Sequence, residues 1–392
     1  MTDWSRSLFG DIAEVLPGRY LPATDYDPSG PYVIYGSNSI MGRSAIALYP
    51  GPLIAFARIG SNCGATMYSA EACWINNNAA GIRGRRGTDT QFLYYWMQNF
   101  DFTQIREGSG QPYISDRTLK AQVVDLPPFR EQCAIAEILG TLDDKIDMNR
   151  RMSETLEAIA RALFKSWFVD FDPVRAKAEG RDPGLPRPIA DVFPSRFKNS
   201  ELGEIPEAWS LSVVGDLAEV QSGRRPGSRI DAQPAAGSVP LWGGNGRMGY
   251  VPAPLVDYPI ILTGRVGTLG SLFRVTSPCW PSDNTLFLRP HRQQLFEYLF
   301  LSVELVDLPG LNRGSTQPLI TQGDLKAQLL VVPNHEVINL FHDVVRRLYV
   351  RVDAATEESD TVGMLRDSLL PKLISGELRV PQAKRLLEAA PA

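Results

Sequence analysis

The 392-residue chain repeats itself, and that feature constrains its fold more than any other. Trp4, Ser5, Ser7, Gly10, Asp11, Ala13, Glu14 and Val15 return 205 positions later as Trp209, Ser210, Ser212, Gly215, Asp216, Ala218, Glu219 and Val220. Gly36, Asn38, Met41, Gly42, Arg58 and Gly60 return at offset 207 as Gly243, Asn245, Met248, Gly249, Arg265 and Gly267. Cys73, Trp74, Asn78, Gly108, Ser109, Gln111, Pro112 and Ile114 return at 206, and so does Leu119-Lys120-Ala121-Gln122 as Leu325-Lys326-Ala327-Gln328. A drift of only two residues over half the chain marks a duplication. Two globules of one architecture are therefore expected rather than a single core.

Each half reads as a mixed segment followed by a helix. Residues 1–127 and 209–333 are rich in Gly and Pro and carry short β-type runs, such as Leu53-Ile54-Ala55-Phe56-Ala57 and Pro259-Ile260-Ile261-Leu262. After Pro127-Pro128, Ile135, Leu139, Leu142 and Ile146 follow four-three spacing, resumed by Met152, Leu156, Ile159 and Leu163. After Pro333 come Val337, Phe341, Val344, Leu348, Ala355, Val362, Leu365 and Leu369, interrupted by Arg351 and Glu358. A narrow apolar seam needs a partner, and the other helix of the same chain is the nearest one. The expected fold is mixed α+β, two tandem globules joined by two long antiparallel coiled-coil helices, with a pseudo-two-fold internal repeat and the globules at opposite ends. The first helix, over 129–166, would span about 57 Å, roughly one and a half turns of B-DNA. The expected segments are 1–127, a helix over 128–168, a Pro-rich connector over 169–208, 209–333, a helix over 334–376 and a tail over 377–392.

Composition excludes several classes. Hydrophobic residues at 44% and charged residues at 21% are those of a globular protein. No apolar run reaches the ~18 residues that cross a bilayer, and the first residues lack a signal-peptide layout, so the cytoplasm is the expected address. Four cysteines without a C-x-x-C pair, and three histidines, leave few metal ligands; free thiols are expected. There is no G-x-x-x-x-G-K-[ST] loop and no G-x-G-x-x-G after a strand. Asp125-Leu126-Pro127-Pro128-Phe129 is only superficially like the loop of amino-methyltransferases, since Leu126 separates the acid from the prolines. Asp143-Asp144-Lys145 falls mid-helix, where surface ion pairs are the expected role.

A net charge of −4 does not advertise a nucleic-acid partner, but the type of base does. Lys120 and Lys326 are the sole lysines of residues 1–127 and 201–333; every other basic residue there is arginine, whose planar fork suits guanine edges and phosphates. A GC-rich genome, which favours arginine codons, gives the same bias. The loop Gly108-Ser109-Gly110-Gln111-Pro112-Tyr113, with Arg106 before it, and its twin Gly314-Ser315-Thr316-Gln317-Pro318-Leu319, with Arg313, offer small residues and neutral hydrogen-bonding groups to a phosphate backbone; a plain turn is the alternative. Arg58 and Arg265 each end an apolar strand before a glycine, fit to face a partner or to form an ion pair. Arg85-Arg86 and Arg224-Arg225 read as exposed basic pairs, fit for phosphates or idle. The candidate DNA contacts are therefore Arg58, Arg85, Arg86, Arg106, Ser109, Gln111, Arg224, Arg225, Arg265, Arg313, Ser315 and Gln317, with no catalytic or metal residue. The helix seam is Leu139, Leu142, Ile146, Leu156, Ile159, Leu163, Phe341, Val344, Leu348, Val362, Leu365 and Leu369.

Nearly the whole chain resembles the specificity subunits of type I restriction-modification systems. The likeness rests on Leu126-Pro127-Pro128-Phe129-Arg130-Glu131-Gln132, Ala162-Leu163-Phe164-Lys165-Ser166-Trp167-Phe168, Glu201-Leu202-Gly203-Glu204-Ile205-Pro206 and Ser368-Leu369-Leu370-Pro371-Lys372-Leu373-Ile374-Ser375-Gly376-Glu377-Leu378. The second helix departs from the first, with Asn334-His335-Glu336 where the first has Arg130-Glu131-Gln132. The resemblance implies two target recognition domains, each reading one half of a bipartite sequence in double-stranded DNA, and helices that set the gap and dock two modification subunits. S-adenosylmethionine, ATP and magnesium would belong to partner modification and restriction subunits, none to this non-catalytic chain. A coiled-coil adaptor with no DNA role, and a self-sufficient DNA methyltransferase or nuclease, are the rival readings.

Overall fold

The computed structural model describes residues 4–108, 110–230, 237–314 and 316–389. It comprises two units, Met1–Arg151 with Ala355–Ala392, and Met152–Ala354, so each long helix contributes one part to each unit.

In the first unit the chain enters on Ser5–Leu8, which pairs antiparallel with Val123–Leu126, the last strand before the long helix. That pairing sets the two ends of the globule side by side. Between them, Ala13–Pro17, Ala79–Gly84, Leu53–Ala57 and Thr66–Ser69 form a four-stranded antiparallel sheet. Ile40–Ser44, Tyr32–Tyr35 and Cys73–Ile75 form a smaller three-stranded sheet. Leu53–Ala57 is buried along its whole length, and the two-residue period of a strand divides its side chains between two cores. Ile54 and Phe56 join the helix Thr90–Asn99 through Phe92, Leu93 and Trp96, whereas Leu53 and Ala55 face Tyr35, Cys73 and Ile75.

The second unit repeats this plan. Ala218–Ser222, Thr285–Pro290, Ile260–Gly264 and Leu272–Val275 form the larger sheet, and Gly246–Val251, Val239–Gly243 and Trp280–Pro281 the smaller one. Ser210–Val213 pairs with Leu329–Val332, and the helix Phe296–Glu304 covers the sheet. The connector is ordered, as expected, but more regular than its prolines suggest. It carries the helix Asp172–Ala178 and the hairpin of Phe197–Ser200 and Gly203–Pro206, and it buries Phe171, Val174 and Phe193 in the core of the unit with Trp167 and Trp209.

The long helices run over Phe129–Phe164, prolonged by a π-helical turn at Lys165–Val169, and over His335–Ile374; a further helix, Val380–Ala389, follows. They pair antiparallel within each unit. In the first, Asp143 receives Arg366 at 2.7 Å, while Lys145 and the buried Asn149 both hold Glu358, at 3.0 and 2.9 Å. Asn149 is a polar group inside an apolar seam, the kind of residue that fixes helix register. In the second, Phe341 is surrounded by Phe164, Trp167 and Phe168.

The seam itself needs correction. Leu139, Leu142 and Leu369 are buried, while Ile146, Leu156, Leu163, Val362 and Leu365 are half-buried. Ile159, however, is 44% exposed, and Ala160 takes the buried position beside it. Val344 and Leu348 are half-buried, and Val345 and Tyr349 lie deeper. Each helix packs on its globule as well as on its partner, so its buried stripe is wider than a two-stranded seam and drifts with the 3.6-residue turn.

All four cysteines are free. Cys63, Cys73 and Cys279 are buried, and burial pushes their thiols up, that of Cys279 to about 12. Native protein at pH 8 should therefore release at most one equivalent with dithionitrobenzoate, from the half-buried Cys133. Prompt release of two or more would contradict the packing.

Candidate nucleic-acid interface

Four loops meet at one end of the sheets in the first unit. Ser37, at the tip of the hairpin of Tyr32–Tyr35 and Ile40–Ser44, donates its hydroxyl to the carbonyl of Asn78 at 3.3 Å. The same carbonyl accepts from the backbone of Arg58, at the end of the strand Leu53–Ala57. Gly60 N–H then donates to Pro112 O at 2.8 Å, and Ile114 N–H to Arg58 O at 2.9 Å, which ties in the loop over 107–113. Gly60 turns the chain with φ +98, a conformation open to glycine at little cost. The same knot is tied in the second unit: Arg265 N–H to Asn284 O at 2.8 Å, Gly267 N–H to Pro318 O at 3.0 Å, and Ile320 N–H to Arg265 O at 2.9 Å.

This geometry brings Arg58 together with Gln111, and Arg265 together with Gln317. Both glutamines are exposed. Ser109 and Ser315 lie outside the described residues. Arg224 and Arg225 join the second cluster: Trp280 Nε1 donates to Arg224 O at 2.7 Å, and Arg225 lines a cleft of about 400 Å³ with Met248, Asp283 and Asn284.

Arg85 and Arg86 do not join the first cluster. They follow the strand Ala79–Gly84, whose opposite end carries Asn78, so the length of the strand, about 20 Å, separates them from the loops. Arg85 Nε donates to Ala13 O at 3.2 Å, and the turn is held by Gln132 of the long helix, which donates to Gly87 O and Pro127 O and accepts from Asp89 N–H. Gln132 is 1% exposed, and the Pro-Pro-Phe-Arg-Glu-Gln run thus anchors a helix to its globule. Its neighbour Glu131 accepts from Trp4 Nε1 and pairs with Arg379 at 2.9 Å, beside Gly376 (φ +73), which lies against the Trp4 ring. In the second helix that lock is replaced by Asn334, whose side chain accepts from Val337 N–H at 3.0 Å.

The arginines differ in how free they are. Arg58 is paired with Asp116 at 2.9 Å, and Arg106 donates twice to Cys63 O, so both brace the loops. At the position equivalent to Asp116 the second unit has Gln322, which shares a 2.9 Å hydrogen bond with Ser222. Arg265 is left without a side-chain partner among the described residues, and its Nε is buried. Arg313 is paired with Asp324 at 3.0 Å, where the first unit uses Glu107 with Ser115 and Thr118. Hydroxyl donors hold both carboxyls below their ordinary range: Thr118 and Ser115 for Glu107, Thr321 with Arg313 for Asp324.

The loop cluster also presents asparagines and apolar residues outside the candidate set. Asn38, Asn62 and Asn78 in the first unit, and Asn245 and Asn284 in the second, are exposed, as are Ile40 and Met41. Four of these asparagines recur across the duplication, Asn38 with Asn245 and Asn78 with Asn284, a signal that was present in the sequence. Asparagine reads adenine edges, and apolar tips suit thymine methyls.

A family model described as Type I restriction modification DNA specificity domain matches residues 1–158 and 206–338. The type I restriction enzyme MjaIX specificity subunit of Methanocaldococcus jannaschii is 24% identical over 346 residues, covering 78% of this chain and 73% of the relative. The HindI specificity subunit of Haemophilus influenzae is 24% identical over 333 residues, covering 68% and 71%. The crystal structure of a type I restriction-modification S subunit from M. genitalium superposes with a TM-score of 0.65 at 16% identity, covering 95% of this chain and 96% of that one, a likeness of fold.

Proposed function

The chain belongs to the type I restriction-modification DNA specificity family, and on that premise we propose that each unit reads one half of a split DNA target through its loop cluster. The DNA-sequence specificity of a restriction-modification complex is its role, and it is a non-catalytic component of that assembly. The observation that carries the finer reading is the twin knot of loops, which sets Arg58 with Gln111 and Arg265 with Gln317 by the same backbone bonds in both units. Bidentate side chains on a rigid sheet edge suit base edges in the major groove, with small residues leaving room for phosphates.

The paired helices, on this reading, set the spacing between half-sites and dock two modification subunits. S-adenosylmethionine, ATP and magnesium then belong to modification and restriction subunits, and the complex works in the cytoplasm. Among the described residues no helix is long and apolar enough to cross a membrane.

The test is to co-express the chain with a cognate modification subunit in a methylation-free host and to map modified adenines. One split motif, modified on both strands, is expected. An unsplit motif would mean that one unit alone reads DNA, and no methylation by a folded, associated complex would favour the adaptor. Shortening the paired helices by one heptad, about 10 Å, should shorten the spacer by about three base pairs and leave both half-sites unchanged. Altered half-sites with an unchanged spacer would refute the ruler.

A further inference from the structure

The second unit holds a cleft of about 480 Å³ that its DNA-reading loops do not use. Its walls are Tyr258, Arg274, Arg289, His291, Phe296 and, from the second long helix, Arg346. The strand Ile260–Gly264 begins at this cleft and ends at Arg265, so the cleft and the loop cluster lie at opposite ends of the sheet, about 15 Å or more apart.

The floor is built from paired polar side chains. Glu297, 3% exposed, shares a 2.6 Å hydrogen bond with His342 Nδ1. Arg274 forks onto Asp353 at 2.7 and 3.1 Å and lies 4.4 Å from the centre of the Tyr349 ring. These pairs hold the floor together, although Arg274 Nε and the Tyr349 hydroxyl are buried without a hydrogen-bond partner among the described residues. The rim is cationic, with Glu219 opposite Arg289 across the strand pair but no ion pair closed between them. Arg289 stacks over Tyr258 at 4.2 Å, and neither it nor Arg346 nor His291 has a carboxylate partner among the described residues.

Only part of this arrangement is confined to one repeat. The positions equivalent to Arg346, His342, Arg274 and Glu297 are Gly140, Ala136, Tyr68 and Gln91, whereas Arg289 and His291 have basic counterparts in Arg83 and Arg85. In the first unit the Gln91 amide lies across Gly140, 2.6 Å from where a Cβ would stand, and Tyr68 packs on Tyr94. The strand-end cations are thus common to both repeats, whereas Arg346, the aromatic walls Tyr258 and Phe296 and the paired floor belong to the second alone, and these are what turn a basic strand end into a cleft.

We propose that this cleft binds a phosphate-bearing small molecule of up to nucleotide size, held by Arg289 and Arg346 at its phosphate oxygens, with Tyr258 and Phe296 beside its apolar part. Guanidinium forks match phosphate in geometry and charge. The volume falls in the range of small-molecule sites, and a concave pocket suits a compact ligand better than the convex backbone of a duplex.

Calorimetric titration of the full-length chain with pyrophosphate and with ATP, in metal-free buffer, tests this. One site per chain is expected. Arg289→Ala and Arg346→Ala, both at exposed positions, should each weaken it by about tenfold or more while leaving affinity for the split DNA target within about twofold. Absence of binding, binding indifferent to both substitutions, or displacement of the ligand by duplex DNA would each overturn the proposal. The last result would assign the cleft to DNA backbone. Because DNA affinity is measured in parallel, failure here is distinguishable from failure of the half-site reading.

Discussion

Phe341→Ala should lower the stability of the second unit by about 3–5 kcal/mol, the range for emptying a fully buried aromatic site. Phe341 is 0% exposed and touches Phe164, Trp167 and Phe168, three rings from the far end of the other helix. Their removal from contact leaves a void that helix backbones cannot collapse to fill. Ile159→Ala is the matched control. It also removes an apolar side chain from a long helix, but one that is 44% exposed, so its effect should stay within about 0.5 kcal/mol. Urea unfolding followed by tryptophan fluorescence measures both. Equal effects would mean that the buried stripe has been placed wrongly.

Arg265→Ala should relax discrimination at the second half-site and weaken binding there by about 1–3 kcal/mol, the worth of a good bidentate base contact. Its guanidinium has no partner among the described residues, so it has nothing to give up on meeting DNA. Arg58 must first release Asp116, and Arg58→Ala should therefore show a smaller loss at the first half-site. Methylation mapping of each variant complex reads both half-sites in one experiment. Equal losses, or an unchanged second half-site in Arg265→Ala, would show that the freedom of Arg265 has no part in recognition.

Gln132 illustrates what residue types can and cannot convey. Its position in the Pro-Pro-Phe-Arg-Glu-Gln run was legible as part of a junction between globule and helix. That it is 1% exposed and closes two hydrogen bonds to the turn over 87–89, with a third to Pro127 O, depends on a strand end more than forty residues away. The same turn removes Arg85 and Arg86 from the loop cluster of Arg58 and Gln111. Alternation along Ala79–Gly84 gave no hint of which end the loops would gather at, because a strand pattern is the same read from either end.

The duplication, the two globules, the long helices and the twin Gly-Ser-x-Gln-Pro loops can all be read along the chain, since they depend on period and spacing. Only the tertiary structure decided which arginine is braced and which is free: Arg58 meets Asp116, whereas Gln322 turns away to Ser222 and leaves Arg265 alone. It also decided the phase of the buried stripe, Ala160 over Ile159 and Val345 over Val344. The physical reason is the same in each case. Periodicity records that a residue has an inside and an outside, while a partner for a charge or a hole for a side chain is supplied by segments distant in sequence, at distances of a few ångströms that spacing does not encode.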